Sequence, residues 1–294
     1  MNHLPYCKER QMSTKHRIKR TRKSDTDCVP VEGKNATIVL GDCAKCADYE
    51  MWDLNRVKKL PRPDLVFADP PYNIGIDYGS GGADDQVSVN EYTHTLMERV
   101  TATCHYLKPG GVASWVISEQ YADALAKILS SNVCEMGYRM SKVQRIIWHE
   151  TFHTYHERTF PTAHRHIFIY QKTHRQMKLD LKWNKDDIRV PSARQEKYGD
   201  KRAVSEGRVP GSVWTISRTC GTFKERVDWH PAQLPVALVE RLVLAYTDSG
   251  DAVLDPFCGS GTTGIAAITN GRRFIGFETN ADYVNRCAER LASL

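Results

Sequence analysis

The sequence predicts an α/β protein built on a doubly wound, mostly parallel sheet. Three observations carry that expectation. Short apolar runs alternate with amphipathic stretches, a glycine-rich turn joins one run to a helical pattern, and an acidic residue closes the run after it. The chain has 294 residues, 41% hydrophobic and 26% charged, enough for a substantial core and against wholesale disorder. No run of eighteen apolar residues is present, and no apolar segment follows the first methionine, so neither a membrane span nor a secretory leader is expected. Nine cysteines, odd in number and irregularly spaced, fit a reducing compartment, and a cytoplasmic protein is expected.

Residues 1–35 read as a basic flexible tail. Residues 8–23 carry eight Lys/Arg against Glu9 alone, and too few apolar side chains to cover a core. From Ala36 the pattern changes, and residues 36–171 form the first half of the sheet domain. Ala36–Leu40 and Leu65–Ala68 read as buried parallel strands around a polar, helical stretch. Glu91–Tyr106 reads as a helix, Gly111–Ile117 as a strand and Tyr121–Ser130 as a helix. Val143–Trp148 and His166–Gln171 follow as strands. Residues 172–228 break this rhythm and carry fourteen Lys/Arg against eight Asp/Glu. They are expected to be an inserted module, with Trp183, Tyr198, Trp214 and Phe223 among its cations. Outside the two basic segments the chain is slightly acidic, which suits a protein that grips a polyanion with its appendages.

Residues 229–294 complete the domain. Pro235 is placed as the first residue of a helix with Leu238, Val239, Leu242, Val243 and Tyr246 on its apolar face. Ala252–Leu254 is a strand, Thr263–Asn270 a helix stopped by Gly271, and Phe274–Phe277 a strand. Asn280 caps the last helix.

Two motifs carry the chemistry. Asp255-Pro256-Phe257-Cys258-Gly259-Ser260-Gly261-Thr262-Thr263 leaves a strand and opens a helix, where glycines admit a ligand to the backbone and free N–H groups face it. Glu278 follows Gly259 by nineteen residues, near the spacing at which an acid meets ribose hydroxyls in nucleoside-binding folds. No Gly-Lys-Ser/Thr follows, which excludes a triphosphate loop. Asp69-Pro70-Pro71-Tyr72-Asn73 ends a strand, where doubly wound sheets bind ligands. An aspartate and a rigid proline carbonyl can accept hydrogen bonds from one planar amine, and Tyr72 offers a ring for stacking on a base. The loop Gly75–Asp85, directly after this motif, is expected to close over the site as a lid.

Asp69–Asn73, Asp255–Thr263 and Phe274–Glu278 resemble the signature motifs of S-adenosylmethionine-dependent DNA amino-methyltransferases. Their order, catalytic motif before cofactor motif with a basic insert between, resembles the permuted β group of bacterial and phage modification systems. The resemblance covers Ala36 to Leu294 and implies a Rossmann-like methyltransferase sheet, with 36–171 the catalytic half, 172–228 the target-recognition insert and 229–294 the cofactor-binding half. It implies S-adenosyl-L-methionine as cofactor, with Asp255, Phe257, Gly259, Gly261 and Thr262 around its methionine end, Asp69 beside it, Glu278 on its ribose and Asp42 at its adenine. Asp69, Pro70, Pro71 and Tyr72 would grip and stack the target base, and no metal is implied. The implied reaction methylates the N6 amine of adenine in a specific sequence of double-stranded DNA, with N4 of cytosine as the alternative. The resemblance also leaves room for a homodimer and a cognate restriction endonuclease. His230-Pro231-Ala232-Gln233-Leu234-Pro235 is similar to the family's His-Pro-Thr-Gln-Lys-Pro, but Leu234 replaces the lysine, and that lysine's cofactor contact does not carry over.

Two further patterns point elsewhere. His149-Glu150-Thr151-Phe152-His153 matches the zinc-peptidase pattern, with His156, His164 or His166 as a third ligand. That chemistry needs both histidines on one helical face, whereas this match follows a strand, and a chance match is expected. Cys43-Ala44-Lys45-Cys46 has metal spacing without a second pair, so two small residues opening a helix are expected. A catalytically silent nucleic-acid-binding module is the remaining alternative.

Overall fold

In the sheet, alternation along each strand decides which helix layer a side chain meets. The computed structural model describes residues 29–294 apart from 33–34, 46–59, 80, 83–84, 132–133, 135–136, 152–156, 177, 179 and 203. The strands are β1 (Val29–Glu32), β2 (Ala36–Leu40), β3 (Leu65–Ala68), β4 (Val112–Ile117), β5 (Tyr138–His149), β6 (His164–His174), β7 (Val213–Thr215), β8 (Ala252–Asp255) and β9 (Arg273–Glu278). They form one mixed sheet in the order β1-β2-β9-β8-β3-β4-β6-β5-β7. β2, β9, β8, β3 and β4 run parallel, while β1 and β6 lie antiparallel to their neighbours in this block. This is the doubly wound architecture the sequence predicts.

The helices are α1 (Val89–Tyr106), α2 (Glu119–Ser130), the short α3 (Ala193–Glu196), α4 (Val236–Tyr246), α5 (Thr262–Thr269) and α6 (Ala281–Ala292). Val66 and Ala68 of β3 pack on one side with Leu96 and Val100 of α1 and Leu125 of α2. Leu65 and Phe67 point the other way, into the cluster formed by Leu238 of α4, Ala266 of α5 and Val284 of α6. A period of two on the strands and of 3.6 on the helices therefore builds two cores, one on each face. Among the described residues, no helix is long and apolar enough to cross a membrane.

Capping chemistry moves several boundaries. The Ser88 hydroxyl accepts from the Glu91 N–H at 3.2 Å, so α1 begins two residues before its expected start. Pro235 is the cap of α4 and not its first residue, because its ψ of 134° is extended. Asn280 caps α6 as expected, accepting from the N–H groups of Asp282 and Tyr283. β5 and β6 outrun their apolar runs because the two strands pair antiparallel along their length, from Tyr138–His174 to His149–His164.

Two expectations about organisation are corrected. Val29–Glu32, read as part of the tail, pairs antiparallel with β2 as an edge strand that tolerates Pro30. Segment 172–228 contributes β7 to the main sheet, pairing parallel with β5, and buries Ile188 and Trp214 in the main core. Trp183 packs against Tyr246 at 5.6 Å between ring centroids, and the Asn184 amide donates to the carbonyls of Leu244 and Thr247 at the end of α4. This segment extends the domain and shares its core. The polar stretch before β3, expected to be helical, lies mostly outside the described residues.

Candidate active site

β3 and β8 are hydrogen-bonded neighbours pointing the same way, and the sheet winds outward from them in both directions. Such a switch point leaves a crevice at the carboxyl ends of the strands. Here it opens as a cleft of about 1190 Å³. Asp69, Pro70, Pro71 and Tyr72 line it from β3, Asp255, Phe257, Gly259 and Thr262 from β8 and its loop, Glu278 from β9, and Asp42 from β2. The motifs, distant in sequence, thus meet in one cavity.

At the β3 end, the Tyr72 hydroxyl donates to Asp69 Oδ1. Pro71 is held by the Tyr92 hydroxyl, which donates to its carbonyl at 2.6 Å. Asn73 takes a left-handed turn (φ 57°) and donates from its amide to the Val87 carbonyl and the Tyr121 hydroxyl, at 2.9 and 2.8 Å. Burial pushes Asp69 up to about 6, against the lowering influence of the Tyr72 hydrogen bond and the charge of Arg165. The following loop is anchored by buried Asp85, which accepts from the N–H groups of Asn73, Ile74 and Ile76. The Asn280 amide donates to the Tyr78 carbonyl at 2.9 Å, fixing this loop against the start of α6.

At the β8 end, Asp255 holds its own loop. Its Oδ1 accepts from the Phe257 N–H at 2.8 Å and its Oδ2 from the Thr263 hydroxyl. Burial pushes Asp255 up to about 7. Glu278 accepts from the Gly259 and Asn280 N–H groups, each at 2.9 Å, and burial raises its pKa as well. The Thr262 hydroxyl sits 3.1 Å from that of Ser260. Gly259 faces His230, whose Nε2 would stand 2.7 Å from an added Cβ. His230, pushed down to about 4 by burial, packs on Tyr283 at 4.8 Å between centroids.

Gly261 departs from expectation, since it lies outside the cleft lining and turns toward the core. A Cβ there would meet Cys287 Sγ at 2.5 Å, and its φ of +79° strains any other residue. Asp42 lines the cleft but is engaged by Arg99 at 2.9 Å. Burial works to raise the Asp42 pKa, yet the Arg99 hydrogen bond and charge hold it below the ordinary aspartate value. The Arg99 guanidinium also lies 5.7 Å above the Phe257 ring.

Sequence reasoning missed Arg99 and Arg165, because neither sits in a motif and each reaches the cleft only through tertiary pairing. Glu150 was noticed only inside the zinc-peptidase pattern. In the structure it pairs with Arg165 at 3.1 Å, and His149 sits on β5 with Nδ1 3.3 Å from the Thr215 hydroxyl. His153 and His156 fall outside the described residues. His164 and His166 instead approach Glu119 at the start of α2, their ring nitrogens hydrogen-bonding its carboxylate. Among the described residues, no helix carries the His149–Glu150 pair, because His149 ends β5. Cys43 is buried and Cys46 lies outside the described residues.

A doubly wound sheet with a glycine loop, an acid ending the next strand and an Asp-Pro-Pro-Tyr turn across one cleft is the arrangement in which α/β enzymes hold a ligand at the switch point. Comparison with known proteins gives the family. The chain belongs to the DNA methylase family of N6/N4 enzymes, which matches residues 63–289. It is a DNA methyltransferase, and S-adenosyl-L-methionine is its cofactor. It is 34% identical over 230 residues to the type II methyltransferase M.HpaI of Haemophilus parainfluenzae, covering 78% of this chain and 68% of that one. It is 31% identical over 288 residues to the DNA adenine methyltransferase YhdJ of Escherichia coli, covering 90% and 86%. Among solved structures, the cytosine-N4-specific PvuII DNA methyltransferase aligns with a TM-score of 0.60 at 17% identity, over 89% of this chain and 87% of that one. The M1.HpyAVI complex with SAM aligns at 0.56 and 20% identity, over 87% and 98%. Both share its fold.

Proposed function

We propose that this chain methylates the N6 amine of adenine at a specific sequence in double-stranded DNA. The observation that carries the reading is Asp69 at the carboxyl end of β3, beside the rigid Pro70-Pro71 pair, facing the cleft with one oxygen engaged by Tyr72. Oδ2 is then the acceptor offered to an exocyclic amine, and the Pro70 carbonyl is the second. The amine lone pair is delocalised into its ring and poorly nucleophilic. Two acceptors favour a more tetrahedral nitrogen, so the lone pair localises and can attack.

The cleft residues fit the cofactor. Glu278 offers carboxylate lone pairs suited to ribose hydroxyls, Gly259 brings backbone close, and Asp255, Phe257 and Thr262 line the far end, with Asp42 and Arg99 beside the place of an adenine. When bound, S-adenosylmethionine supplies an electrophilic methyl group on a sulfonium. The protein's share is to flip and stack the base on Tyr72, orient its amine and exclude water. Kinship with a DNA adenine methyltransferase supports adenine over cytosine. Reaction with methyl-labelled cofactor and duplex DNA, followed by nucleoside analysis, is expected to yield N6-methyladenine. N4-methylcytosine alone would move the assignment to the alternative base, and 5-methylcytosine would overturn the mechanism.

A further inference from the structure

We propose that Arg165 is a positioning residue that backs the Tyr72 ring and keeps Asp69 an amine acceptor, with Glu150 holding Arg165 in place. The proposal rests on Asp69 being the acceptor described above. Arg165 lies on β6, in register with Trp148 of β5, and its side chain reaches into the cleft. Its guanidinium carbon sits 4.8 Å from the Tyr72 ring centroid, and its Nε pairs with Glu150 Oε1 at 3.1 Å. The Tyr72 hydroxyl in turn donates to Asp69. The four side chains form one line of contact, from a buried carboxylate to the catalytic one.

A guanidinium suits this position because it can lie flat on a ring while its edge pairs with a carboxylate. With one face of Tyr72 covered, an incoming base has the opposite face to stack on, which fixes where its amine arrives. The electrostatic part follows from what surrounds Asp69. Tyr72, Arg165 and Glu150 act on it directly, Asp255 faces it from β8, and Tyr78 and Tyr92 lie within its field from the loop and α1. Of these groups Arg165 is the cation. It opposes both burial and the charge of Glu150, each of which favours the protonated form.

The test is the pH dependence of methyl transfer in the full-length protein. The parent enzyme is expected to lose kcat/KM for DNA on an acid limb set by Asp69, which stands at about 6 in the free protein and lower once a cationic cofactor is bound. In Arg165→Met the acid limb should move up by about one unit, since the Arg165 charge lowers Asp69 and a nearby opposite charge lowers a carboxylate pKa by about 1–3 units. Well below the parent limb a one-unit shift appears as roughly a tenfold loss, with KM for the cofactor within about twofold of the parent. Arg165→Lys should return the limb toward the parent while kcat stays reduced, because an ammonium cannot lie flat on the ring. Glu150→Gln should move the limb the opposite way, to lower pH, since it removes an anion while its amide oxygen can still accept from Arg165 Nε and keep the guanidinium in place. A general loss of packing would not give shifts of opposite sign. An unmoved limb in Arg165→Met, or a shared direction for Arg165→Met and Glu150→Gln, overturns the proposal. A parent enzyme lacking the acid limb would instead overturn the reading of Asp69 itself.

Discussion

The backbone N–H of Gly259 donates to Glu278 Oε2 at 2.9 Å, so one carboxylate both closes the cofactor loop and faces the cleft. Glu278→Ala should therefore weaken cofactor binding by about ten- to a hundredfold, the value of a hydrogen bond to a charged group. Turnover at saturating cofactor should change far less. Equilibrium binding of the cofactor, set beside kcat, checks this, and an unchanged Kd would show that Glu278 serves the loop alone.

Gly261 behaves differently from its neighbour. Gly261→Ala would bring a Cβ onto Cys287 Sγ and place alanine at φ +79°. The expected outcome is lost stability of about 1–3 kcal/mol, read as a fall of several degrees in Tm. Adding Cys287→Ala should recover the part due to the clash and leave the backbone strain. Reduced cofactor affinity at unchanged Tm would mean that this position faces the ligand after all.

Cofactor binding should release protons. Burial holds Asp69 up to about 6 and Asp255 up to about 7, and a cationic cofactor beside them favours their ionised forms. Their pKa values then fall on binding, so affinity should rise between about pH 5.5 and 7.5 as the free protein loses those protons unaided. Calorimetry in buffers of different ionisation enthalpy measures the release. S-adenosylhomocysteine, which lacks the sulfonium charge, should release fewer protons, and equal release with both compounds would argue against this electrostatic coupling.

The basic N-terminal segment should contribute affinity without base discrimination. Because β1 begins at Val29, the informative deletion removes residues 1–28 and spares the strand. If three or four of its cations touch phosphates, the slope of log affinity against log salt should flatten by roughly 3. The preferred sequence should stay the same. Fluorescence anisotropy across a salt series gives the slope, and an unchanged slope would remove this segment from the DNA interface.

Much of the site was legible because its chemistry is local. Asp69-Pro70-Pro71-Tyr72 and Asp255–Thr263 each announce a strand end, a turn and a set of donors or acceptors within nine residues or fewer. The central strands were legible for a similar reason, since burial on both faces leaves a continuous apolar run. What escaped was set by pairing across the fold. β1 and β7 carry no continuous apolar run, and exist through their partners β2 and β5. Arg99 and Arg165 read as surface cations until α1 and β6 carry them to Asp42 and Glu150. Trp214, which the sequence places only among the cations of a basic segment, is buried with Arg241 4.7 Å from its ring.

At the middle of the sheet, Asp64 Oδ2 accepts from the Ala252 N–H, joining residues 188 apart. Leu65 and Val66 then pair with Val253 and Leu254. During synthesis β3 therefore waits with one edge bare until most of the chain has left the ribosome, and the catalytic turn has no cofactor loop opposite it. A product terminated before β8 would carry Asp69 and Tyr72 without the Asp255–Thr263 loop that faces them across the cleft.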